Sequence, residues 1–192
     1  MMAESDRAIA VCAGMGREAV TRSMALAETR GTLSMMISVG YAGALRPGIA
    51  SGSLHWPAIV IDAQTEERFD CDRGSGTLLT VDSIVDAEEK MRYTSRWSAD
   101  LVDMEAATVA RWAQARHLPF RTLRAVSDEA GEKLPALNRF IDERGGFREY
   151  AFARHIALRP WLIPTAIRLG KHSGHASRAM ANALRELLDE AE

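Results

Sequence analysis

Two acidic residues within one short segment could hold a sugar. Asp103 and Glu105 interrupt an apolar run that starts at Val102, with Met104 between them, and small and apolar residues of helical spacing follow. A carboxylate at such a strand-to-helix junction can accept two hydrogen bonds from hydroxyl groups, and its charge makes them stronger than bonds between neutral groups. The alternative is that these acids only begin a helix, where the helix dipole favours negative charge.

Another acid follows a β-prone run and could act as a proton donor. The run from Phe120 to Val126 ends in Ser127 and Asp128. Partial burial favours the protonated form of a carboxylic acid, so Asp128 could give up a proton near neutral pH. The alternative is a helix N-cap, a position that Ser and Asp both favour.

Two glycine-rich segments could bring the backbone close to a ligand. Gly14 and Gly16 stand between a short apolar run and a helical pattern, where glycine and free helix N–H groups suit an anion. Ala42 and Gly43 follow another apolar run and leave room for a flat ring or a sugar. Both segments are also consistent with plain turns. A dinucleotide-binding loop is not predicted, because Ala19 stands where its third glycine would be.

Strand and helix patterns alternate along the first two thirds of the chain. Apolar or β-prone runs predict strands over residues 8–13, 33–39, 58–61, 77–81 and 120–126, and helical patterns predict helices over 17–29 and 106–115. The glycines after residue 39 predict a loop, and the polar stretch 62–75 predicts a surface connection. This alternation is typical of an α/β fold, in which functional residues gather in loops beyond strand ends.

Composition and charge exclude several classes of protein. With 192 residues, 47% hydrophobic and 26% charged, the chain suits one compact domain over residues 1–192. A net charge of −2 gives no basic excess for nucleic acid. Cys12 and Cys71 lack the spacing of a disulfide framework or a zinc site, so we expect no bound metal and a reducing compartment. We find neither a signal peptide pattern nor the roughly 18 apolar residues of a membrane span, which indicates a cytoplasmic protein.

The C-terminal region, residues 144–192, is basic and is predicted to be helical. Eight Lys or Arg residues stand against one acid, Glu149, between Arg144 and Arg185. They surround the apolar segment 160–164, which contains Trp161. Such a segment could lie in a membrane interface. The alternative is a pair of helices that packs on the sheet and exposes its basic face to solvent.

Taken in this order and with this spacing, the four motifs resemble one family. Gly-Met-Gly, Val-Gly-Tyr-Ala-Gly, Asp-Met-Glu-Ala and Arg-Ala-Val-Ser-Asp are similar to segments of purine nucleoside phosphorylases and methylthioadenosine/S-adenosylhomocysteine nucleosidases. The resemblance covers about residues 8–131. It implies a three-layer α/β fold with a central mixed sheet flanked by helices, and an enzyme that cleaves the N-glycosidic bond of a purine nucleoside.

The resemblance assigns roles to the two acidic motifs. Glu105 would bind the ribose 2′- and 3′-hydroxyls, with Met104 under the sugar and Asp103 in the same substrate-binding segment. Asp128, positioned by Ser127, would protonate or hydrogen-bond N7 of the leaving purine. A proton at N7 neutralises a base that is otherwise a poor leaving group.

The base-binding loop is expected at residues 81–85. Ile84 stands where the family often places a Phe against the purine, and Val85 is the candidate for a backbone contact to the edge of the base. Ala42 and Gly43 would contribute to the same substrate site.

The nucleophile side departs from the family's pattern. The family begins with a further strand and loop, which supply a phosphate ligand or a water-activating Glu, and this sequence lacks that segment. Ser38 stands where phosphorylases often carry Arg. Gly14, Gly16 and Tyr41 are therefore the candidates for the phosphate or water side, with Arg17 as another substitute. The alternatives are that a partner chain contributes this group or that the chain is a shortened and weakly active form. No cofactor is expected, and inorganic phosphate is a candidate co-substrate.

The tail favours one branch of the family. Residues 147–188 are similar to the tails of hopanoid-associated phosphorylases, which remove adenine from adenosylhopane, and a basic, partly apolar tail suits a nucleoside held in a membrane surface. We therefore expect a lipid-linked purine nucleoside as substrate, peripheral contact with the inner face of the membrane, and a homo-oligomer. A soluble adenosine thioether is the alternative substrate, and a non-catalytic nucleoside-binding protein is the alternative class.

Overall fold

Strands and helices alternate through residues 2–132, 137–142, 145–157 and 177–189, which are the residues described by the computed structural model. The strands are β1 Met2–Glu4, β2 Ile9–Val11, β3 Met36–Ala44, β4 Leu54–His55, β5 Ile59–Asp62, β6 Arg68–Asp70, β7 Thr77–Thr80, β8 Leu101–Asp103 and β9 Phe120–Asp128. The helices are α1 Arg17–Glu28, α2 Ala87–Trp97, α3 Ala106–Ala115, α4 Glu149–Ala157 and α5 over residues 177–189, with a 3-10 helix at Leu137–Phe140.

Seven of the strands in the described residues form one mixed sheet in the order β4-β9-β3-β8-β7-β5-β6. β3 runs parallel to β9, and β7 runs parallel to both β5 and β8. β8 pairs antiparallel with β3, and the edge strands β4 and β6 pair antiparallel with their neighbours. β1 and β2 form a separate antiparallel pair. The predicted α/β fold with a central mixed sheet is confirmed.

Helices cover both faces of the large sheet. On one face, α1 and α3 pack against a core that includes Val60 of β5. On the other face, α2 packs through Tyr93 and Trp97 against β7 and β8, and α5 packs through Met180 against Leu123 of β9. The helices that flank the acidic motifs are therefore held by apolar burial, which is the main favourable contribution to folding.

The glycine-rich segment after Val39 is part of a strand, and the loop predicted there is wrong. β3 continues through Gly40 and Gly43 to Ala44, because it pairs with β9 along most of its length and with β8 at its end. These pairings give the backbone the hydrogen-bond partners that a loop would take from water. Small residues conceal such a strand in the sequence, because they show no clear alternation of apolar and polar side chains.

Other boundaries differ less from the prediction. The polar stretch 62–75 contains an edge strand, β6, whose Phe69 is buried, so it is more than a surface connection. β9 extends two residues beyond the predicted strand and includes Ser127 and Asp128. The helices predicted over 17–29 and 106–115 correspond to α1 and α3.

The C-terminal region contributes two helices to the described structure. α5 buries Met180 and Leu187 and leaves Arg178 and Arg185 exposed. This arrangement agrees with the alternative of helices that pack on the sheet with their basic residues in solvent. The segment 160–164 with Trp161 lies outside the described residues. None of the helices described is long and apolar enough to cross a membrane.

Candidate active site

Glu105 lies between β8 and α3 and faces the predicted glycine turn. Its carboxylate accepts a hydrogen bond from the backbone N–H of Gly16 over 2.7 Å. Gly16 has a φ of 82°, which an L side chain rarely adopts, and a Cβ there would lie 4.0 Å from the Cε of Met104. In this structure the N–H group at the start of α1 binds the carboxylate of Glu105.

Asp103 has the structural role that a helix-start acid was expected to have. Its Oδ2 atom accepts a hydrogen bond of 2.8 Å from the backbone N–H of Ala106, in the first turn of α3. Glu105 makes no side-chain capping bond, although it is the N-cap residue. The helix-start interpretation therefore applies to Asp103, whereas the carboxylate of Glu105 accepts hydrogen bonds from the backbone N–H groups of Gly16 and Met104.

A buried ion pair fixes this junction to the sheet. Arg124 of β9 donates to Asp103 over 2.5 Å, and the two side chains are 1% and 0% exposed. Thr80 donates its hydroxyl to the other oxygen of Asp103 at 2.6 Å. Arg124 also donates to the hydroxyl and the carbonyl oxygen of Ser38, at 2.7 and 2.8 Å. Ser38 stands where phosphorylases often carry Arg. In this structure both of its oxygen atoms accept hydrogen bonds from Arg124 of the neighbouring strand β9.

The electrostatic surroundings of Glu105 disfavour its charged form. Burial raises the pKa of Glu105 above its usual value, and the negative charge of Asp103 raises it further. The hydrogen bond from Gly16 and the positive charge of Arg124 act in the opposite direction. A carboxylate that has lost water without a paired cation gains strongly from new hydrogen-bond donors, and ribose hydroxyls are such donors.

Asp128 is the last residue of β9 and is 4% exposed. Its Oδ2 atom accepts a hydrogen bond from the ammonium group of Lys90, and Ser127 donates its hydroxyl to Oδ1. Lys90 also donates to the carbonyl oxygen of Glu129 over 2.8 Å. Asp128 is therefore not a helix N-cap, and both of its carboxylate oxygens are held by side chains.

β3 brings the two acidic motifs together. Gly43 pairs with Val102 of β8 on one side and with Asp128 of β9 on the other. A Cβ at Gly43 would lie only 3.1 Å from Asp128 Oδ2, so the missing side chain makes room for this carboxylate. Ala42 contributes its carbonyl oxygen, which accepts a hydrogen bond of 3.2 Å from Ser127. The predicted substrate residues Ala42 and Gly43 thus lie between the two motifs.

The backbone of Ile84, in the predicted base-binding loop, is hydrogen-bonded to the side chain of Asn138. The backbone N–H of Ile84 donates to Oδ1 of Asn138 at 2.9 Å, and the carbonyl oxygen of Ile84 accepts from the amide nitrogen of Asn138 at 2.7 Å. Val85 is 5% exposed and packs in the apolar core beneath α2. In this loop it is the backbone of Ile84 that binds a group with one donor and one acceptor, and the contact expected at Val85 stays a prediction.

Arg17, a suggested substitute on the nucleophile side, is bound to protein carboxylates. Its guanidinium donates two hydrogen bonds of 2.7 Å to Asp62 and one to Asp82. Burial alone would raise the pKa of Asp62, but the hydrogen bonds from Arg17 and Arg111 outweigh it and hold the pKa far below its usual value. This network joins α1, α3 and the end of β5.

The other candidates for the phosphate or water side have separate positions. The hydroxyl group of Tyr41 shares a hydrogen bond of 2.6 Å with Ser177 of α5. Gly14 adopts a φ of 120° in the glycine turn, where Met15 donates its backbone N–H to the carbonyl oxygen of Gly145 over 2.8 Å. The assignment of Gly14, Gly16 and Tyr41 to the nucleophile stays a prediction.

Sequence reasoning missed Lys90. The spacing of its neighbours indicates that Lys90 faces the sheet. Lys90, Tyr93 and Trp97 are three and four residues apart and therefore share one face of α2. Two of the three are aromatic residues that pack on the sheet, so the lysine at the first position must also point inward. A lysine among charged neighbours nevertheless looks like part of a solvated helix face, which is why its partner could not be found.

The match to a known family covers both acidic motifs. Residues 63–155 match the phosphorylase superfamily. This stretch includes Glu105 and Asp128 together with Lys90, but it begins after both glycine-rich segments. No curated protein matches the chain significantly.

Solved structures of nucleosidases have the same fold. The S-adenosylhomocysteine nucleosidase of Streptococcus pyogenes, in complex with 5-methylthiotubericidin, is 23% identical, with a TM-score of 0.56 over 64% of this chain and 67% of that one. The methylthioadenosine/S-adenosylhomocysteine nucleosidase of Campylobacter jejuni is 21% identical, with a TM-score of 0.57 over 70% and 78%. A futalosine hydrolase mutant of Helicobacter pylori is 19% identical, with a TM-score of 0.54 over 68% and 73%. These likenesses confirm the fold that the resemblance to the phosphorylase superfamily implied.

Proposed function

We propose that this chain is an enzyme that cleaves the N-glycosidic bond of a purine nucleoside and releases adenine. Glu105 holds the ribose hydroxyls, and Asp128 protonates N7 of the base. The bond between C1′ and N9 then breaks with its electron pair on the purine, and C1′ forms a bond to an oxygen of phosphate or of a water molecule, which gives up a proton. The proton at N7 neutralises the leaving base, and fixed negative charge near the sugar stabilises the positive charge that develops at C1′.

One observation carries this proposal: a half-buried carboxylate, Glu105, and a buried one, Asp128, flank the same stretch of β3 and have different partners. Glu105 is held by a backbone N–H group, whereas Asp128 is paired with an ammonium group. Carboxylates in unequal surroundings commonly divide the work, one stabilising charge and the other transferring a proton. The match of residues 63–155 to the phosphorylase superfamily supports an enzyme of the nucleoside phosphorylase or N-ribosyl hydrolase type.

The backbone of Ile84 supports an adenine base. The carboxamide of Asn138 offers it one acceptor and one donor, and the N1 and N6 atoms of adenine offer the same pair. Adenine would replace Asn138 at this backbone pair. The edge of the base is then bound by the backbone N–H and carbonyl groups of Ile84. Their hydrogen-bonding pattern stays the same when a side chain is substituted.

The test is adenine release by the purified chain and its Asp128→Asn variant. Methylthioadenosine, S-adenosylhomocysteine and adenosine are the soluble substrates to assay, each with and without inorganic phosphate, since dependence on phosphate separates phosphorolysis from hydrolysis. Asparagine keeps the shape of the side chain but has no acidic proton, so turnover should fall by about 10²-fold or more.

A matched control is Asp70→Asn, which alters an exposed aspartate at the end of β6. This variant should keep the turnover of the wild type. Turnover of Asp128→Asn within a few-fold of the wild type would remove Asp128 from the mechanism. A wild-type chain that binds adenine but never releases it from any nucleoside would instead be a non-catalytic binding protein.

For the natural substrate, we propose a lipid-linked adenosine such as adenosylhopane. The support is the resemblance of residues 147–188 to the tails of hopanoid-associated phosphorylases, together with the basic excess of this region and the exposure of Arg178 and Arg185. A membrane-held nucleoside is reached most readily by a protein that binds the same surface. Adenine release from such a lipid in vesicles should exceed release from methylthioadenosine at equal nucleoside concentration. Faster release from the soluble thioether would favour the soluble substrate.

A further inference from the structure

Lys90 is the one side chain of α2 that is fully buried, and it ends at the carboxylate assigned to proton transfer. It is 1% exposed, and its ammonium group donates to Asp128 and to the carbonyl oxygen of Glu129. Its Cε atom would lie 3.3 Å from a Cβ at Gly43, so the lysine stem also depends on the glycine of β3. Nothing in the family resemblance gave this lysine a role.

Stability alone does not explain a lysine at this position. The removal of an ammonium and a carboxylate from water costs several kcal/mol for each ion, and their attraction often does no more than offset that cost. An apolar side chain would serve the packing of α2 equally well, as Tyr93 and Trp97 do on the same face. The buried pair therefore points to a chemical role at Asp128.

The contacts of Asp128 limit where a proton can come from. In the described structure its oxygens accept hydrogen bonds from the ammonium of Lys90 and the hydroxyl of Ser127. A serine hydroxyl is far too weak an acid to protonate a carboxylate. An ammonium group is a much stronger acid, and it is already hydrogen-bonded to the oxygen that must receive the proton.

We propose that Lys90 is the positioning residue that supplies Asp128 with the proton for the leaving base; this inference rests on the proposed function. As the C1′–N9 bond of the bound nucleoside breaks, its electron pair makes the purine basic, and in the same step the proton on Nζ of Lys90 moves to the Asp128 carboxylate and on to N7. C1′ forms a bond to an oxygen of phosphate or of a water molecule, which gives up a proton. Lys90 is left as a neutral amine and regains a proton from water after the base leaves.

Two substitutions at Lys90 separate proton supply from charge and packing. Lys90→Met keeps the length of an apolar stem but removes the proton, and Lys90→Arg keeps a positive charge whose proton is not given up in proteins. Both variants should lose about 10²-fold or more in kcat on the purine nucleoside with little change in KM. Arg92→Met, an exposed position on the same helix, is the matched control and should behave as the wild type.

The combination of Lys90→Met with Asp128→Asn shows whether the lysine acts through the aspartate. Residues that act in one step are not additive, so the double variant should have the kcat of Asp128→Asn alone. The double variant should also unfold at a higher temperature than Lys90→Met, which leaves a buried carboxylate without its partner. This measurement keeps the test valid if Lys90→Met is poorly folded.

Three results would overturn the inference. A Lys90→Arg variant with the kcat of the wild type would show that charge suffices. Losses in kcat that multiply in the double variant would show that Lys90 supports the structure independently of Asp128. A wild-type chain without turnover on any purine nucleoside would overturn the proposed function, and the role of Lys90 with it.

Discussion

The two acids of the Asp103-Met104-Glu105 segment show how one residue type takes opposite roles within three positions. Asp103 is saturated by Arg124, Thr80 and the first turn of α3, so it has a structural role. Glu105 is desolvated and depends on the N–H group of Gly16, and its pKa is raised by burial. An ionised carboxylate whose burial lowers the free energy of unfolding is typical of a binding site.

At the residue scale, Glu105→Gln should lower affinity for ribosides and raise stability. The charge-assisted bonds to two hydroxyls are lost, so KM for ribosides should rise by about 10-fold or more, with a smaller rise for 2′-deoxy analogues. A carboxyl group whose folded pKa is raised stabilises the fold below its unfolded pKa and loses that contribution as pH rises through the folded value. The neutral amide removes this loss, so Tm at neutral pH should increase and the increase should vanish in acid.

Glu18→Gln is the matched control, because Glu18 is an exposed glutamate in the first turn of α1. It should change neither KM nor Tm appreciably. The measurements are initial rates on riboside and deoxyriboside pairs and thermal unfolding at neutral and acidic pH. Equal losses of affinity on both substrates would show that Glu105 does not hold the 2′-hydroxyl.

At the scale of elements, β3 organises the site through its small residues. It lies between β8 and β9, and so it separates the strand before Glu105 from the strand that ends in Asp128. Gly43 lies opposite both neighbours, and its pairing with β9 shifts register between Ala42 and Gly43. Such irregularities commonly re-aim a side chain next to a functional site.

The substitution Gly43→Ala should therefore lower kcat clearly while it changes the free energy of unfolding only slightly. The new methyl group would come within 3.1 Å of Asp128 and 3.3 Å of Lys90 Cε, so the ion pair must shift by a few tenths of an ångström. A displacement of this kind at a proton-transferring group should lower kcat by about 10-fold or more. Gly40→Ala is the control on the same strand, since nothing lies within 4 Å of a Cβ there.

Rates on the same nucleoside and Tm values decide this prediction. Gly40→Ala should keep kcat, and both variants should stay within about 1 kcal/mol of the wild type in stability. An alanine at Gly43 that leaves kcat unchanged would show that the carboxylate of Asp128 need not lie where the structure places it.

At the scale of the whole molecule, charge is distributed unevenly. The net charge is −2, yet the C-terminal region from Arg144 to Arg185 carries eight basic residues and one acid. α5 buries its apolar face on β9, so a truncation before it would expose the sheet. Exposed arginines are therefore better probes of a membrane-binding surface than a shortened chain is.

The paired substitutions Arg178→Glu and Arg185→Glu should weaken binding to anionic vesicles. Each basic residue near such a surface contributes about 1 kcal/mol, so their reversal should lower the affinity by more than about 10-fold at low salt. Arg30→Glu with Arg92→Glu is the control, because both arginines are exposed and lie away from α5, Arg30 in the turn after α1 and Arg92 on α2. Sedimentation with phosphatidylserine vesicles at two salt concentrations measures the effect. A wild-type chain that ignores these vesicles would leave the soluble nucleoside as the better substrate.

The sequence by itself determined the fold class, the helices α1 and α3, and the junctions that carry Glu105 and Asp128. These features depend on local information, because hydrophobic periodicity and glycine turns act within a few neighbouring residues. The motif that contains Asp103 was also predicted, but not which of its two acids begins the helix.

The tertiary structure alone decided which residues are partners. Lys90 and Asp128 are 38 residues apart, and Asp103 and Arg124 are 21 apart, yet each pair forms a buried ion pair. Their meeting depends on the strand order, which places β3 between β8 and β9 and lets α2 reach the end of β9. The second half of β3, from Gly40 to Ala44, is a strand because of its pairing and not because of its own side chains. Strand pairing is a property of two segments at once, so no local pattern in either segment could reveal it.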